Sequence, residues 1–125
     1  MTSFSCESTA RTPQVILDAT AGTLLLAGES YPEDVPSFYA QIHNALEAYF
    51  ANDKAALTTK IKLTYFNSSS ARALMELLDL LDEAAATGRD MPVLWYCDPD
   101  DDITREFAQD ISSDTSHIKV EILDL

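Results

Sequence analysis

Residues 62–72 read KLTYFNSSSAR and join a strand-like run to a leucine-rich helix. Before the junction, residues 59–66 alternate apolar with polar side chains, which is typical of a strand with one solvated face. After it, leucines recur at the three- and four-residue steps of a buried helix face, and Gly88 is expected to end that helix. One polar side chain is enough to cap a helix. An asparagine and three serines therefore mark either a plain helix start or a start that also carries a functional hydroxyl.

The sequence before the junction predicts a hairpin and a helix. Residues 14–19 (QVILDA) and 23–27 (TLLLA) have the composition of strands, and the turn residues between them predict an antiparallel pair. Asp34 is a suitable N-cap for a helix whose apolar residues follow a helical period. Residues 52–53 are expected to end this helix.

The sequence after the junction predicts a strand, a helix and a last strand. Residues 91–97 (MPVLWYC) are almost entirely apolar, which indicates an interior strand covered on both faces. An acidic turn at residues 98–102 is expected to start a helix that runs to about residue 111. Residues 118–122 alternate as a strand. The order predicts an α/β domain with an N-terminal hairpin, then βαβ units, a mixed five-stranded sheet and three main helices.

Composition limits the classes of partner. The chain has 125 residues, 21 acidic against 8 basic, and a net charge of −13. A surface of this sign repels phosphates, so we expect neither nucleic acid nor an anionic membrane as a partner. The same acidity also keeps a small protein in solution. Residues 1–11 are expected to form a flexible tail, and residues 12–125 a single domain.

The two cysteines lack the spacing of a metal site or a disulfide framework, which indicates reduced thiols and a cytoplasmic protein. The N-terminus has no apolar core of a secretory signal, and no apolar stretch is long enough to span a bilayer. We expect no cofactor and no bound metal. Mg²⁺ binding by the acidic turn stays open, although its spacing is not that of a Ca²⁺ loop.

Parallel strands would bring three loops to one edge of the sheet, namely residues 30–33, 67–70 and 98–102. Three helix N-termini would lie there, and such termini favour anions. A phosphate on Ser68 would be well placed at one of them, with Arg72 one turn further on. Capping alone also accounts for the serines.

Sequence signatures of enzymes are mostly missing. The chain has no G-x-S-x-G, P-loop or G-x-G-x-x-G motif. A hydrolase that pairs Ser68 with His117 stays open as a minor alternative. A binding adaptor that is never modified is another.

Four local motifs resemble the SiaC-like regulatory phosphoproteins, a bacterial family similar in fold to STAS-domain anti-sigma-factor antagonists. The resemblance covers about residues 12–123. Its motifs are Thr12-Pro13, GESYPE at residues 28–33, YFNSSS at residues 65–70, and Trp95-Tyr96 with the acidic turn. SYPE and YFNSSS in this order and separation form a fairly specific signal. Ser68 stands where threonine is common in the family.

The resemblance implies a non-enzymatic signalling protein. A GHKL-type Ser/Thr kinase would phosphorylate Ser68, a PP2C-type phosphatase would remove the phosphate, and the unmodified form would bind and activate a diguanylate cyclase in cyclic-di-GMP and biofilm signalling. Ser69 and Ser70 would keep the capping role. The residues expected to contact a partner are Ser30, Tyr31, Pro32, Glu33, Tyr65, Asn67, Ser69, Ser70 and Arg72.

Overall fold

The computed structural model describes residues 3–51 and 55–125, and it has the predicted α/β architecture. Helices and strands alternate after an N-terminal group of strands. The elements are β1 (Phe4–Cys6), β2 (Gln14–Asp18), β3 (Thr23–Ser30), α1 (Val35–Phe50), β4 (Thr58–Phe66), α2 (Ser68–Ala85), β5 (Pro92–Cys97), α3 (Asp102–Asp114) and β6 (Lys119–Asp124). The predicted end of the first helix, at residues 52–53, lies outside the described residues.

The strands form one mixed sheet in the order of the chain, β1-β2-β3-β4-β5-β6. The first three strands are antiparallel neighbours, which confirms the hairpin, and β3 to β6 are parallel. The sheet has six strands rather than the predicted five. The additional strand is β1, where Ser5 pairs with Ile16 inside the stretch predicted to be a tail. Three residues are too few to show a strand period, so the sequence pattern does not reveal β1.

All three helices pack on one face of the sheet. Their buried side chains share a single core cluster with alternate residues of β2 to β5. Right-handed crossovers between sequential parallel strands produce this arrangement. The prediction that β5 is covered on both faces is wrong: Val93, Trp95 and Cys97 are buried, whereas Leu94 and Tyr96 stay partly exposed.

A bulge near the end of β4 reverses the predicted orientation of Tyr65. Gly28 pairs with Leu63 but Glu29 pairs with Tyr65, so Thr64 is an additional residue in β4. Gly28 has φ +114°, a value that favours glycine. The sequence pattern places Tyr65 on the same face as Leu63, which is buried, but the bulge leaves Tyr65 51% exposed. Phe66 packs against the core instead.

The helix ends agree partly with the predictions. Asp34 caps α1 as expected, because its carboxylate accepts the Ser37 N–H at 3.2 Å. α2 ends at Ala85, and Gly88 follows with φ +100°. α3 continues to Asp114, three residues beyond the predicted end.

Candidate functional site

Ser68 is the first residue of α2, and its side chain is exposed at the carboxyl edge of the parallel strands. Only Asn67 separates it from β4, so the core-packed strand and helix on either side fix its position. Ser69 is exposed as well. A hydroxyl that reacts with an external enzyme needs this kind of access.

Asn67 caps α2, and the expectation that Ser69 and Ser70 would do so is wrong. The Asn67 side-chain oxygen accepts the Ser70 N–H at 2.9 Å. Asn67 has extended backbone, as an N-cap residue has, while all three serines are already helical. The first helical turn therefore keeps its cap whatever happens to the Ser68 hydroxyl.

Ser70 belongs to a chain of buried hydroxyls instead. Ser30 donates to Ser70 with 3.0 Å between the two Oγ atoms, and Ser30 Oγ lies 2.7 Å from the Tyr39 hydroxyl. A serine hydroxyl has one hydrogen to donate, so the hydrogen between Tyr39 and Ser30 comes from Tyr39. Both serines are 0% exposed and Tyr39 is 2% exposed. Burial raises the pKa of Tyr39 against the opposing effect of the serine hydroxyls, so Tyr39 stays a donor.

The SYPE loop lies directly beside the YFNSSS segment. Ser30 pairs with Phe66 at the end of the parallel ladder, and the Asn67 N–H donates to the Ser30 carbonyl at 3.2 Å. The Tyr31 N–H donates to the Arg11 carbonyl at 2.8 Å. The Arg11 guanidinium also pairs with Glu33 at 2.9 Å, although both side chains are exposed and the pair adds little stability.

A groove of about 850 Å³ runs between α1 and α2 and begins at Ser68. Its lining includes the small side chains Ala40 and Ala73. Its lining also contains the Arg72 guanidinium and the His43 imidazole. The complete lining is Pro32, Glu33, Val35, Pro36, Tyr39, Ala40, His43, Asn44, Asn67, Ser68, Ser69, Arg72, Ala73 and Glu76.

Arg72 is exposed and forms no ion pair with any residue of the described chain. It lies one helical turn after Ser68. An unpaired guanidinium at this position is free to interact with an anion or with a partner carboxylate.

The acidic turn reaches the same sheet edge but acts as a helix cap. Asp101 accepts the Thr104 N–H at 3.0 Å and the Thr104 hydroxyl at 2.6 Å. These hydrogen bonds outweigh slight desolvation and lower the pKa of Asp101. Asp98 accepts the Asp100 N–H. In residues 3–51 and 55–125, no group of three or more His, Cys, Asp or Glu side chains is arranged to hold a metal ion.

The structure separates Ser68 from His117. The His117 N–H donates to the Asp82 carboxylate at 2.7 Å, fourteen residues along α2 from Ser68. That separation corresponds to about 21 Å along a helix axis. The Ser68–His117 pair of the hydrolase alternative therefore does not form in this fold.

A model of the SiaC family of regulatory phosphoproteins matches residues 6–125. The match covers nearly the whole chain, including the Ser68 edge and the groove. The chain belongs to the SiaC family. Members of this family are regulatory proteins, and the resemblance seen in SYPE and YFNSSS is thereby confirmed.

Relatives within the SiaC family cover the full domain. An uncharacterised protein of Pseudomonas aeruginosa strain UCBPP-PA14 is 33% identical over 116 residues, which is 93% of this chain and 92% of that protein. The structure of apo-SiaC from P. aeruginosa superposes with a TM-score of 0.91 at 32% identity, over 98% of this chain and 99% of that one. A second structure holds the P. aeruginosa diguanylate cyclase SiaD with its activator SiaC, with a TM-score of 0.91, 31% identity and the same coverage.

The structure divides the predicted partner-contact residues into two groups. Exposed or partly exposed positions at the Ser68 edge are Tyr31, Glu33, Tyr65, Asn67, Ser69 and Arg72. Ser30 and Ser70 are 0% exposed, so their side chains support this edge from below and do not form part of its outer surface, whereas Pro32 is largely buried but lines the groove.

Sequence reasoning missed Tyr39 as a member of the site. Tyr39 is buried in the core three positions before the buried Ile42, whereas its neighbour Phe38 is only partly buried. His43, on the same helix, is half-buried along the groove. Tyr39 lies seven residues before Leu46, as Val35 lies seven before Ile42, and this two-turn repeat is the signal that could have identified it.

Within the described residues, no helix is both long and apolar enough to cross a membrane.

Proposed function

We propose that this protein is a signalling switch in which reversible phosphorylation of Ser68 controls the binding of a partner protein. The observation that carries the proposal is the position of Ser68: an exposed hydroxyl at the start of α2, at the mouth of a groove. The regulatory-phosphoprotein character of the family supports it. The expected modifying enzymes are a GHKL-type Ser/Thr kinase and a PP2C-type phosphatase, with the protein in the cytoplasm.

The proposed partner of the unmodified form is a diguanylate cyclase, which this protein would activate without being an enzyme itself. The support is the P. aeruginosa complex in which SiaC is the activator of the cyclase SiaD. Exposed aromatic and polar groups next to Ser68 are suited to such a contact, especially Tyr65 and Arg72. The output would be cyclic-di-GMP and hence biofilm behaviour.

Phosphorylation would change docking without unfolding the helix. A phosphate adds a charge of about −1.5 to −2 at pH 7. At a helix N-terminus this charge is locally favourable by about 0.3–1 kcal/mol. Because Asn67 rather than Ser68 caps α2, the modification also leaves the cap in place.

A partner that covers Ser68 would have to bury the added charge. An unpaired charge inside an interface costs about 2–5 kcal/mol. This corresponds to a loss of affinity of about 30-fold to several thousand-fold. Arg72 can compensate part of the charge, but Glu33 and Glu76 line the same groove and repel it. The modified form is therefore expected to release the partner.

The test is to incubate the protein with its GHKL-type kinase and Mg-ATP, and to locate the phosphate by peptide mass spectrometry. We expect one phosphate, on Ser68, and none after Ser68→Ala. The Ser69→Ala variant is the matched control, since Ser69 is the neighbouring exposed serine. Phosphate found only on a residue other than Ser68 would refute the assignment.

A further inference from the structure

The three consecutive serines of α2 differ sharply in access. Ser68 and Ser69 are exposed, whereas Ser70 is 0% exposed. A kinase must bring the acceptor hydroxyl in line with the γ-phosphate of ATP, which a fully buried hydroxyl cannot do. The fold therefore keeps the Ser70 hydroxyl away from a kinase, although the three serine side chains are chemically identical.

The chain of hydrogen bonds from Tyr39 through Ser30 to Ser70 is what holds that third hydroxyl inside. Its members come from three elements: Tyr39 from α1, Ser30 from the end of β3 and Ser70 from the first turn of α2. The Asn67 cap fixes the Ser70 N–H at the same time. Ser70 is thus held through both its backbone and its side chain.

Resting on the proposed function, we infer that the hydroxyl chain Tyr39–Ser30–Ser70 is a specificity-determining device that withholds Ser70 from the kinase and fixes the first turn of α2 so that Ser68 is presented. It also gives SYPE and YFNSSS a physical link, because the first motif supplies Ser30 and the second supplies Ser70. Ser69 stays exposed, so its access does not depend on this chain.

An apolar residue in place of Ser70 could fill the same volume, but it would leave Ser30 without its acceptor. A buried polar group without a partner is costly, so the three hydroxyls stabilise one another only as a set. Removing one hydroxyl breaks at least one of the two hydrogen bonds and makes the remaining hydroxyls less firmly positioned. The first turn of α2 should then open more often than the rest of the helix.

The test compares wild type with Tyr39→Phe and Ser30→Ala. Tyr39→Phe keeps the buried ring and removes only the terminal donor, whereas Ser30→Ala removes the central link. Each protein is incubated with the GHKL-type kinase and Mg-ATP, and fragmentation spectra give the share of phosphate on each serine. We expect Ser70 to carry only trace phosphate in wild type and about ten times that amount in Ser30→Ala, the change that corresponds to the loss of one buried hydrogen bond. The increase in Tyr39→Phe should be smaller.

Thr104→Val is the matched control for general destabilisation. Thr104 is also buried, at 5% exposure, and its hydroxyl donates to Asp101 in a different part of the fold. The control should lose stability while its phosphate distribution stays that of wild type. If Ser30→Ala and Tyr39→Phe both fold and neither carries phosphate on Ser70, the inference is overturned.

Hydrogen exchange gives a readout that needs no kinase. At equal global stability, the amides of residues 70–72 should exchange about tenfold faster in Ser30→Ala than in Thr104→Val, which corresponds to the loss of one hydrogen bond. In Tyr39→Phe they should also exchange faster, but by a smaller factor. Unchanged exchange would overturn the inference even if wild type carries phosphate on Ser68. Faster exchange with no phosphate on wild-type Ser68 would instead contradict the proposed function and leave the hydroxyl chain in place.

Discussion

The ring of Tyr31 lies against the ring of Tyr65, with 5.7 Å between centroids and an interplanar angle of 74°. This edge-to-face geometry is a favourable one for aromatic pairs. The two rings join the SYPE loop to the end of β4 at the surface, while Ser30 and Ser70 join the same segments below it. The two motifs therefore form one continuous structure around Ser68.

Tyr65→Ala should weaken partner binding while the protein stays folded. The ring is 51% exposed, so its loss should change the free energy of unfolding by at most about 1 kcal/mol. If it lies in the centre of the interface, affinity for the cyclase should fall by about tenfold or more. Calorimetric titration measures the affinity, and Met75→Ala, 46% exposed on α2, serves as control. Equal affinities for wild type and Tyr65→Ala would place the interface elsewhere.

Asn67→Ala should destabilise the protein, because it removes the cap of α2. The expected loss is about 1 kcal/mol in the free energy of unfolding, measured by urea denaturation. Ser69→Ala is the control and should change stability by less than about 0.5 kcal/mol. A larger loss in Ser69→Ala than in Asn67→Ala would contradict the assignment of the cap.

Ser68→Ala should separate modification from binding. Because Ser68 is exposed and does not cap α2, its replacement by alanine should change stability by less than about 0.5 kcal/mol. The variant should keep its affinity for the cyclase and take up no phosphate from the kinase. Ser68→Asp should bind the cyclase more weakly than Ser68→Ala. Equal affinities of the two variants would show that negative charge at position 68 does not control binding.

Asp82 should contribute to stability in a pH-dependent way. Partial burial raises the pKa of its carboxyl, but the backbone N–H groups of Ile118, His117 and Ser116 outweigh this and lower it. A lowered folded-state pKa means that the stabilisation is fully present above the unfolded value of about 3.9 and is lost as the pH falls through the folded value.

Asp82→Asn should therefore reduce stability most at neutral pH and little in acid. Urea denaturation at a series of pH values measures the difference between the variant and wild type. Asp79→Asn, an exposed carboxylate on the same helix, is the matched control. If the difference in the free energy of unfolding between Asp82→Asn and wild type is the same at pH 7 and at acid pH, the charge of the Asp82 carboxylate does not contribute to stability.

Much of the fold could be predicted because apolar periodicity is strong in this chain. Leucines of α2 and the alternation in β4 indicated their elements directly, and the parallel strands brought the predicted loops to one edge. β1 was not predicted because three residues are too few to show a strand period. The bulge at Thr64 was not predicted because it arises from the pairing of β4 with β3, which cannot be inferred from the local sequence.

The sequence predicted where the candidate site lies, but not which residue caps the helix or which hydroxyls are buried. Asn67 and the serines read as a helix start, yet sequence alone could not say which of them caps it, because all are good N-cap residues. The burial of Ser30 and Ser70 depends on Tyr39, a residue from another element. Contacts between elements of this kind become visible only in three dimensions.

Phosphate on Ser68 is proposed to determine whether the partner binds. The deciding comparison is between the dissociation constants for the diguanylate cyclase of protein phosphorylated completely on Ser68 and of the unmodified protein in the same buffer. Phosphorylation is expected to weaken binding by about 30-fold or more. Equal dissociation constants, with the phosphate on Ser68 verified by mass spectrometry, would contradict it.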